Sequence, residues 1–384
     1  MWLIIQPYFF LKGFSFERYI PKSRQYICLT NHTTNWDFFL GGIVLREHMY
    51  FVASDHIYRN KISGGIIKFL ADPIARKKGG SGDEAVKEIL SRIERGANIC
   101  MMAEGNRSFN GETGFISPRT ARLVKESGVG LVNVAIHGGY FINPRWGTKK
   151  RRGKYSAQAV NEYGAEELAK MSEEEIYAAI CSDLRVDAYV DQEKLMAEYS
   201  CKNPAECLET ALFVCSECGS FSSLSSRGDI LSCSCCGSRM RFNKFGYLEN
   251  AEEGGKEIRF SRICDWSRWQ TERLRELLKE PRSGTEPIFR DSGLRLYIMN
   301  LKNSKSLLAK GELCLFEDRL ELSGEEGNKL VFPVEDINKI SLALRGKLLF
   351  TIHGNYYEIS SKKEYCALKY LIAVRFLMGK DYKD

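Results

Sequence analysis

The sequence predicts an α/β protein: a mostly parallel sheet with flanking helices, followed by two smaller modules. Three observations carry this expectation. Short apolar runs alternate with helical periods from Tyr26 to about His137; two Cys-x2-Cys-Gly knuckles stand between Cys215 and Gly237; and beyond Leu313 apolar runs recur at short intervals between turn residues. At 384 residues the chain exceeds what one hydrophobic core usually organises. The pattern places the domains at 1–200, 205–250 and 285–384.

Local signals justify each element. Residues 26–29 form an apolar run that reads as a strand. Asp83 can cap a helix whose Val86, Ile89, Leu90 and Ile93 share one face, and Gly96 sits where that helix stops. Residues 99–102 read as a buried strand ending at Glu104, 120–128 as a short helix and 131–136 as the next strand. Strand and helix in alternation imply a parallel sheet, and such sheets gather ligands at the carboxyl ends of their strands. Residues 162–194 are charged and are expected to close this domain as helix. In the last third, 313–316, 320–322, 330–332, 340–342, 348–352 and 356–359 read as antiparallel strands. Leu368, Leu371, Ile372 and Phe376 then set a helix over 364–378.

Composition narrows the class. With 44% hydrophobic and 27% charged residues the chain is an ordinary globular protein, not a disordered one. Thirteen cysteines in a chain of this length do not make a small disulfide scaffold; they read as reduced thiols, which points to the cytoplasm. The net charge of +7 is partly concentrated in residues 145–154 (RWGTKKRRGK), six of them basic and none acidic. Such a run suits lipid headgroups, cofactor phosphates or nucleic acid, or is a solvated loop. Residues 1–11 are apolar but fall short of the roughly 20 that cross a bilayer, and they contain Gln6 and Pro7. They lack the basic start and small-residue cleavage site of a signal peptide. Their aromatics suit a membrane interface, and burial against the protein's own core fits equally well.

Two motifs carry chemistry. His32-Thr-Thr-Asn-Trp-Asp37 follows the first strand, so an imidazole and a carboxylate meet where strand hands over to helix. Such a pair can take a proton from a hydroxyl. Glu104-Gly105-Asn106-Arg107-Ser108 follows a second strand and offers a clamp for an anionic group. Both fall just past a strand end, so both could face one crevice.

These residues resemble the glycerolipid acyltransferase family typified by 1-acyl-glycerol-3-phosphate acyltransferases. Residues 31–37 (NHTTNWD) resemble its first motif, and 65–76 (GIIKFLADPIAR) its second, which ends in a phosphate-binding arginine. Residues 104–108 resemble the third, with Asn106 where Thr is common, and 132–136 the fourth, with Asn133 in place of Pro. The resemblance spans roughly residues 20 to 155. It implies a glycerol-phosphate acyltransferase-like fold. It also implies His32 as general base, Asp37 as the group that orients it, and Arg76, Glu104, Gly105, Arg107 and Ser108 as acceptor-binding residues. The acyl donor would be a thioester, acyl-CoA or acyl carrier protein. With 31 residues ahead of His32, there is no room for the N-terminal spans many relatives carry. Attachment is therefore expected to be peripheral, at the inner membrane surface. His48, His56, His137 and His353 match no motif position and are read as structural.

Cys215, Cys218, Cys233 and Cys236 form the two knuckles, and four thiolates at this spacing can hold a structural Zn²⁺ as a zinc ribbon. Cys235 competes with Cys236, and the symmetry of the two knuckles favours Cys236. The strands and helix that follow resemble a pleckstrin-homology or GRAM-type module. The expected activity is transfer of a fatty acyl group to the hydroxyl of lysophosphatidic acid or a related lysophospholipid, with no nucleic acid partner. The rival is a non-enzymatic lipid- or partner-binding protein that works through the ribbon and the C-terminal module. Acceptor identity, acyl chain length and oligomeric state are not legible in the sequence.

Overall fold

A computed structural model describes residues 2–54, 72–76, 82–281, 284–299, 305–324 and 327–380, with only the backbone of 2–5. The chain divides into two compact units. The first comprises Met1–Arg145, Lys149–Lys202 and Lys244–Gly246; the second comprises Trp146–Thr148, Asn203–Asn243 and Tyr247–Asp384.

The first unit begins with helix α1 (Trp2–Leu11) and strands β1 (Phe14–Phe16) and β2 (Tyr26–Thr30). Helix α2 (Asp37–Leu45) leads to β3 (Met49–Ser54), β4 (Ile74–Arg76), α3 (Asp83–Glu94) and β5 (Asn98–Met102). Helix α4 (Pro118–Ser127), β6 (Gly130–His137), the single turn α5 (Gly139–Ile142) and β7 (Tyr155–Tyr163) follow. Helices α6 (Ala165–Lys170), α7 (Glu173–Asp183) and α8 (Ala188–Leu195) complete it. The seven strands run in the order β1-β7-β6-β2-β5-β3-β4. Every pairing is parallel except β6 with β7.

Hydrophobic periodicity explains the layers. Strand β2 is buried along its whole length, which is why it reads as a continuous apolar run and not as an alternation. One face of the sheet (Ile27, Leu29, Ile99, Leu131) packs on Ile89 and Ile93 of α3, Leu123 and Val124 of α4, and Ile176 and Ile180 of α7. Each such side chain contributes about 1.5–3 kcal/mol on burial. On the other face α2 lies close: a methyl at Gly41 would stand 3.5 Å from the sulfurs of Cys28 and Cys100 and from Cγ2 of Thr30. That packing fixes the start of α2 against the end of β2.

The expectation of helix from residue 162 is corrected here. The nine residues of β7 run to Tyr163, and helix begins only at Ala165. The alternating burial of β7, one face in and one face out, is that of a strand near a sheet edge.

In the second unit, a four-stranded antiparallel sheet is built from β8 (Leu224–Arg227), β9 (Ile230–Cys233), β10 (Arg239–Phe242) and β11 (Leu248–Asn250). Helix α9 (Ile263–Lys279) joins it to the β-rich part. Its Trp266 indole donates to the Val214 carbonyl at 2.8 Å, and Gln270 bonds both Phe213 N and Ala211 O. Seven antiparallel strands follow: β12 (Phe289–Met299), β13 (Lys305–Leu315), β14 (Arg319–Gly324), β15 (Lys329–Pro333), β16 (Ile337–Ala343), β17 (Lys347–Ile352) and β18 (Asn355–Ser361). They are ordered β15-β14-β13-β12-β18-β17-β16 and end in helix α10 (Ala367–Leu377). Lys369, on α10, is 1% exposed and meets the Asp291 carboxylate and the Ser222 hydroxyl, each at 2.7 Å. One buried ammonium thus ties the closing helix to β12 and to the cysteine-rich segment.

Candidate active site

The turn between β2 and α2 is organised around one buried carboxylate. Asp37, the first residue of α2, is fully buried and accepts the backbone N–H of Thr33 at 2.7 Å and of Thr34 at 2.9 Å. The Thr34 hydroxyl donates to its Oδ1. The fourth partner is His32, whose Nδ1 lies 2.9 Å from Asp37 Oδ2. A carboxylate at a helix N-terminus that gathers several donors is strongly favoured, each bond to the charge contributing about 1.5–3 kcal/mol. The cluster turns the imidazole so that Nε2 is the ring nitrogen left to act. The His32 side chain keeps 15% exposure.

Three neighbouring segments converge on this turn. Asn31 grips β6 through Ile136, donating to its carbonyl at 2.9 Å and accepting its N–H at 2.7 Å. The Glu104 carboxylate accepts the backbone N–H of His32 through one oxygen and that of Gly114 through the other. Ser108 N donates to the His32 carbonyl at 3.1 Å. Arg107 donates to the carbonyl of Thr33 at 3.1 Å, to Oδ1 of Asn35 at 3.0 Å, and to the carbonyl of Asn143. The two motifs, about seventy residues apart in sequence, are therefore locked to one another through main-chain groups.

Charges around the imidazole set its protonation. Burial holds the His32 pKa below its ordinary value of 6.5; Asp37 pulls it up, and the cations Arg107 and Arg145 push it down again. Arg145 donates to the Arg107 carbonyl at 2.9 Å and lies over the Phe109 ring. Burial also raises Glu104, to about 8, against the two N–H groups that favour its charge. Arg107 falls to about 10, burial outweighing the attraction of Asp37.

The structure sorts the motif residues by what they touch. Gly105 has φ +64, and a methyl there would stand 3.0 Å from Arg76 Nη1, so glycine serves both the turn and the approach of that guanidinium. Arg76 is thereby set beside the Glu104–Ser108 loop, its own side chain exposed. The Ser108 hydroxyl is engaged inside the loop, accepting Gly111 N at 2.9 Å and donating to Asn110 at 3.1 Å. Glu104 and Arg107 are likewise occupied with main-chain partners. Residues 65–71 of the second motif lie outside the described residues. In the fourth motif, Asn133 bonds Asp183 of α7 at 2.8 Å, so the change from proline is taken up in helix packing. His137 pairs with Asp191 of α8 at 2.7 Å, a tie from β6 to that helix.

Sequence reading did not single out Arg145 within its basic run, nor Gly139. A methyl at Gly139 would collide with the Thr33 hydroxyl and press on Thr34, so α5 sits against the catalytic turn only because this residue has no side chain. The basic run itself divides: Arg151 is buried, whereas Lys149, Lys150, Arg152 and Lys154 are exposed. Lys150 lies 4.2 Å over the Trp36 ring. Helix α1 divides too. Phe9 packs against Trp36 and Phe39, while Tyr8, Phe10 and Leu11 face solvent.

The four knuckle cysteines form a second candidate site, in the other unit. Their sulfurs all lie within 4.8 Å of one another, with Cys215–Cys236 and Cys218–Cys233 each at 3.8 Å. A tetrahedral ion with Zn–S bonds of about 2.3 Å spaces its sulfurs by about 3.8 Å. The two turns repeat one pattern: Gly219 N bonds Cys215 O and Gly237 N bonds Cys233 O, at 2.9 and 3.0 Å. The residues present fit a metal ion. Cys235 is exposed and outside the cluster.

Residues 14–137 match the protein family described as Acyltransferase. No curated protein matches the chain. Among solved structures, the 1-acyl-sn-glycerophosphate (LPA) acyltransferase PlsC from Thermotoga maritima is 20% identical, covers 47% of this chain and 72% of its own, and has a TM-score of 0.39. A chain of the 8S snRNP assembly intermediate is 10% identical, covers 26% and 87%, and scores 0.21. Both likenesses are too slight to carry an argument.

Two outcomes follow from the geometry. The acid limb of the kcat/KM profile should fall below pH 6.5, because the neutral imidazole is favoured and the base is lost only as pH drops through its lowered pKa. A limb above pH 7 contradicts the burial described. Gly139→Ala should lower kcat/KM more than tenfold and stability by about 1–3 kcal/mol. Gly164→Ala, where a methyl meets nothing within 4 Å, should leave activity unchanged.

Proposed function

We propose that this chain, which carries an Acyltransferase-family domain at residues 14–137, moves a fatty acyl group from a thioester to the hydroxyl of lysophosphatidic acid or a related lysophospholipid. The observation that carries this reading is the His32–Asp37 pair, with Nδ1 bound at 2.9 Å and the ring partly open to solvent. Asp37 holds the proton on Nδ1, so the lone pair sits on Nε2. Nε2 takes the proton of the acceptor hydroxyl as its oxygen bonds the thioester carbonyl carbon. The tetrahedral intermediate collapses, the C–S bond breaks, and the imidazolium returns its proton to the departing sulfur. Positioned proton transfer of this kind contributes about 10²–10⁴ in rate.

The acceptor's phosphate would meet Arg76, whose guanidinium stands beside Gly105 at the edge of the site. Arginine suits a phosphate because its planar fork donates twice. Glu104, Arg107 and Ser108 then act mainly as positioning residues, since their polar atoms hold the loop and the catalytic turn. The acyl donor is acyl-CoA or an acylated carrier protein. Trp36, Phe38 and Phe39, partly exposed just after His32, offer an apolar wall for its chain. A peripheral membrane contact fits the exposed Tyr8, Phe10 and Leu11 with Lys149, Lys150, Arg152 and Lys154. Among the described residues, no helix is long and apolar enough to cross a membrane. Cys215, Cys218, Cys233 and Cys236 would hold a structural Zn²⁺, closed to substrate because four thiolates fill its coordination.

Free thiol released from acyl-CoA or acylated carrier protein should depend on lysophosphatidic acid, and His32→Ala should cut that release by about 10²–10⁴. Release that is equal in the variant removes His32 from the mechanism. No release from either donor, with lipid still bound, favours the non-enzymatic reading. One zinc per chain is expected by elemental analysis. Cys218→Ser should lose the zinc and lower the unfolding temperature, and Cys235→Ser should retain both.

A further inference from the structure

At the amino end of β2, away from His32, the loop between β1 and β2 and the end of α2 border a half-open cavity of about 240 Å³. Arg18, Arg24 and Arg46 line it, with Glu47 as the one acidic side chain and Ser23 and Tyr26 among the rest of the wall. Three guanidiniums against one carboxylate leave a local excess of positive charge.

The wall is built rather than loose. Tyr19 N donates to the Val44 carbonyl of α2 at 3.0 Å. The Glu162 carboxylate of β7 accepts the Tyr19 hydroxyl at 2.8 Å and the backbone N–H groups of Lys22 and Ser23 at 2.9 and 2.6 Å. Glu162 is therefore committed to the backbone and holds the arginine-bearing loop in place. Arg46 caps α2 in the left-handed region, φ 52, a conformation that a non-glycine residue adopts at some cost and that turns its side chain out of the helix's course. Tyr26, 1% exposed, forms part of the buried wall behind the arginines.

We infer that this cavity is a second anion site for a phosphate group, either inorganic phosphate or the phosphate monoester of a lipid headgroup. Its volume, below the roughly 300–1,000 Å³ of sites that take drug-sized ligands, suits a single phosphate group. A monoester carries a charge of about −1.5 to −2 at neutral pH, which matches the surplus of two positive charges. The six residue steps from Tyr26 to His32 span about 20 Å when extended, so this anion is not the phosphate of the reacting acceptor.

The full chain can be titrated with inorganic phosphate by calorimetry, and sedimented with phosphatidylcholine vesicles with and without phosphatidic acid. Arg18→Ala/Arg24→Ala changes two exposed side chains and should leave the fold intact by circular dichroism; Arg76→Ala serves as control for phosphate taken near His32. The double variant should weaken phosphate binding at least tenfold while Arg76→Ala retains it, which assigns free phosphate. Loss of the phosphatidic-acid-dependent sedimentation in the double variant alone assigns a headgroup. Binding that is absent in the wild type in both arms, or unchanged in the double variant in both, overturns the site.

Discussion

The site depends on the burial of the Asp37 carboxylate. A charge this deep is tolerated only because Thr33 N, Thr34 N, the Thr34 hydroxyl and His32 Nδ1 all point at it. Those same bonds fold the six-residue motif into a tight turn, start α2, and choose the imidazole tautomer. Structure and chemistry share one group, so the residue that stabilises the turn also prepares the base. The loop after β5 is tied to the turn mainly through the turn's backbone, and the end of β6 through the Asn31 side chain. None of these bonds involves the imidazole Nε2.

Much of the fold of the first unit was legible in the sequence because its signals are local. A strand that is apolar throughout, a His and an Asp at the strand-to-helix junction, and glycines at turns specify geometry within a few residues. What was not legible depends on long-range partners. The charged run from Glu162 reads as helix, yet Glu162 lies in a strand that pairs with β6 and fastens the loop of residues 19–23. Helix α9 drew no reading in the sequence, since its buried Trp266 and Gln270 are meaningful only against the carbonyls of Val214 and Ala211. Strand β12 was hidden in the same way: its exposed Arg290, half-buried Arg295 and polar neighbours mask a ladder closed from both sides by β13 and β18. The role of Gly139 needed the position of Thr33, about a hundred residues away.

The residues of the third motif are held by bonds within the fold. Glu and Arg beside a tight glycine suggest contact with an anion. Glu104 accepts two N–H groups and Arg107 donates to three oxygen acceptors, while Arg76 beside them is exposed. Arg107 and Arg145 still act at a distance, because they help to keep His32 neutral. In the proposed acyl transfer, the neutral imidazole is the form that would take the acceptor's proton.

The central claim is that Asp37 fixes His32 as a neutral, Nδ1-protonated imidazole. It is tested most directly by nitrogen NMR of the labelled His32 ring at pH 7, compared with Asp37→Asn. The account predicts a protonated Nδ1 and an unprotonated Nε2 in the wild type, with that tautomer lost or mixed in the variant. A proton on Nε2 or a fully charged ring at pH 7 in the wild type would contradict it.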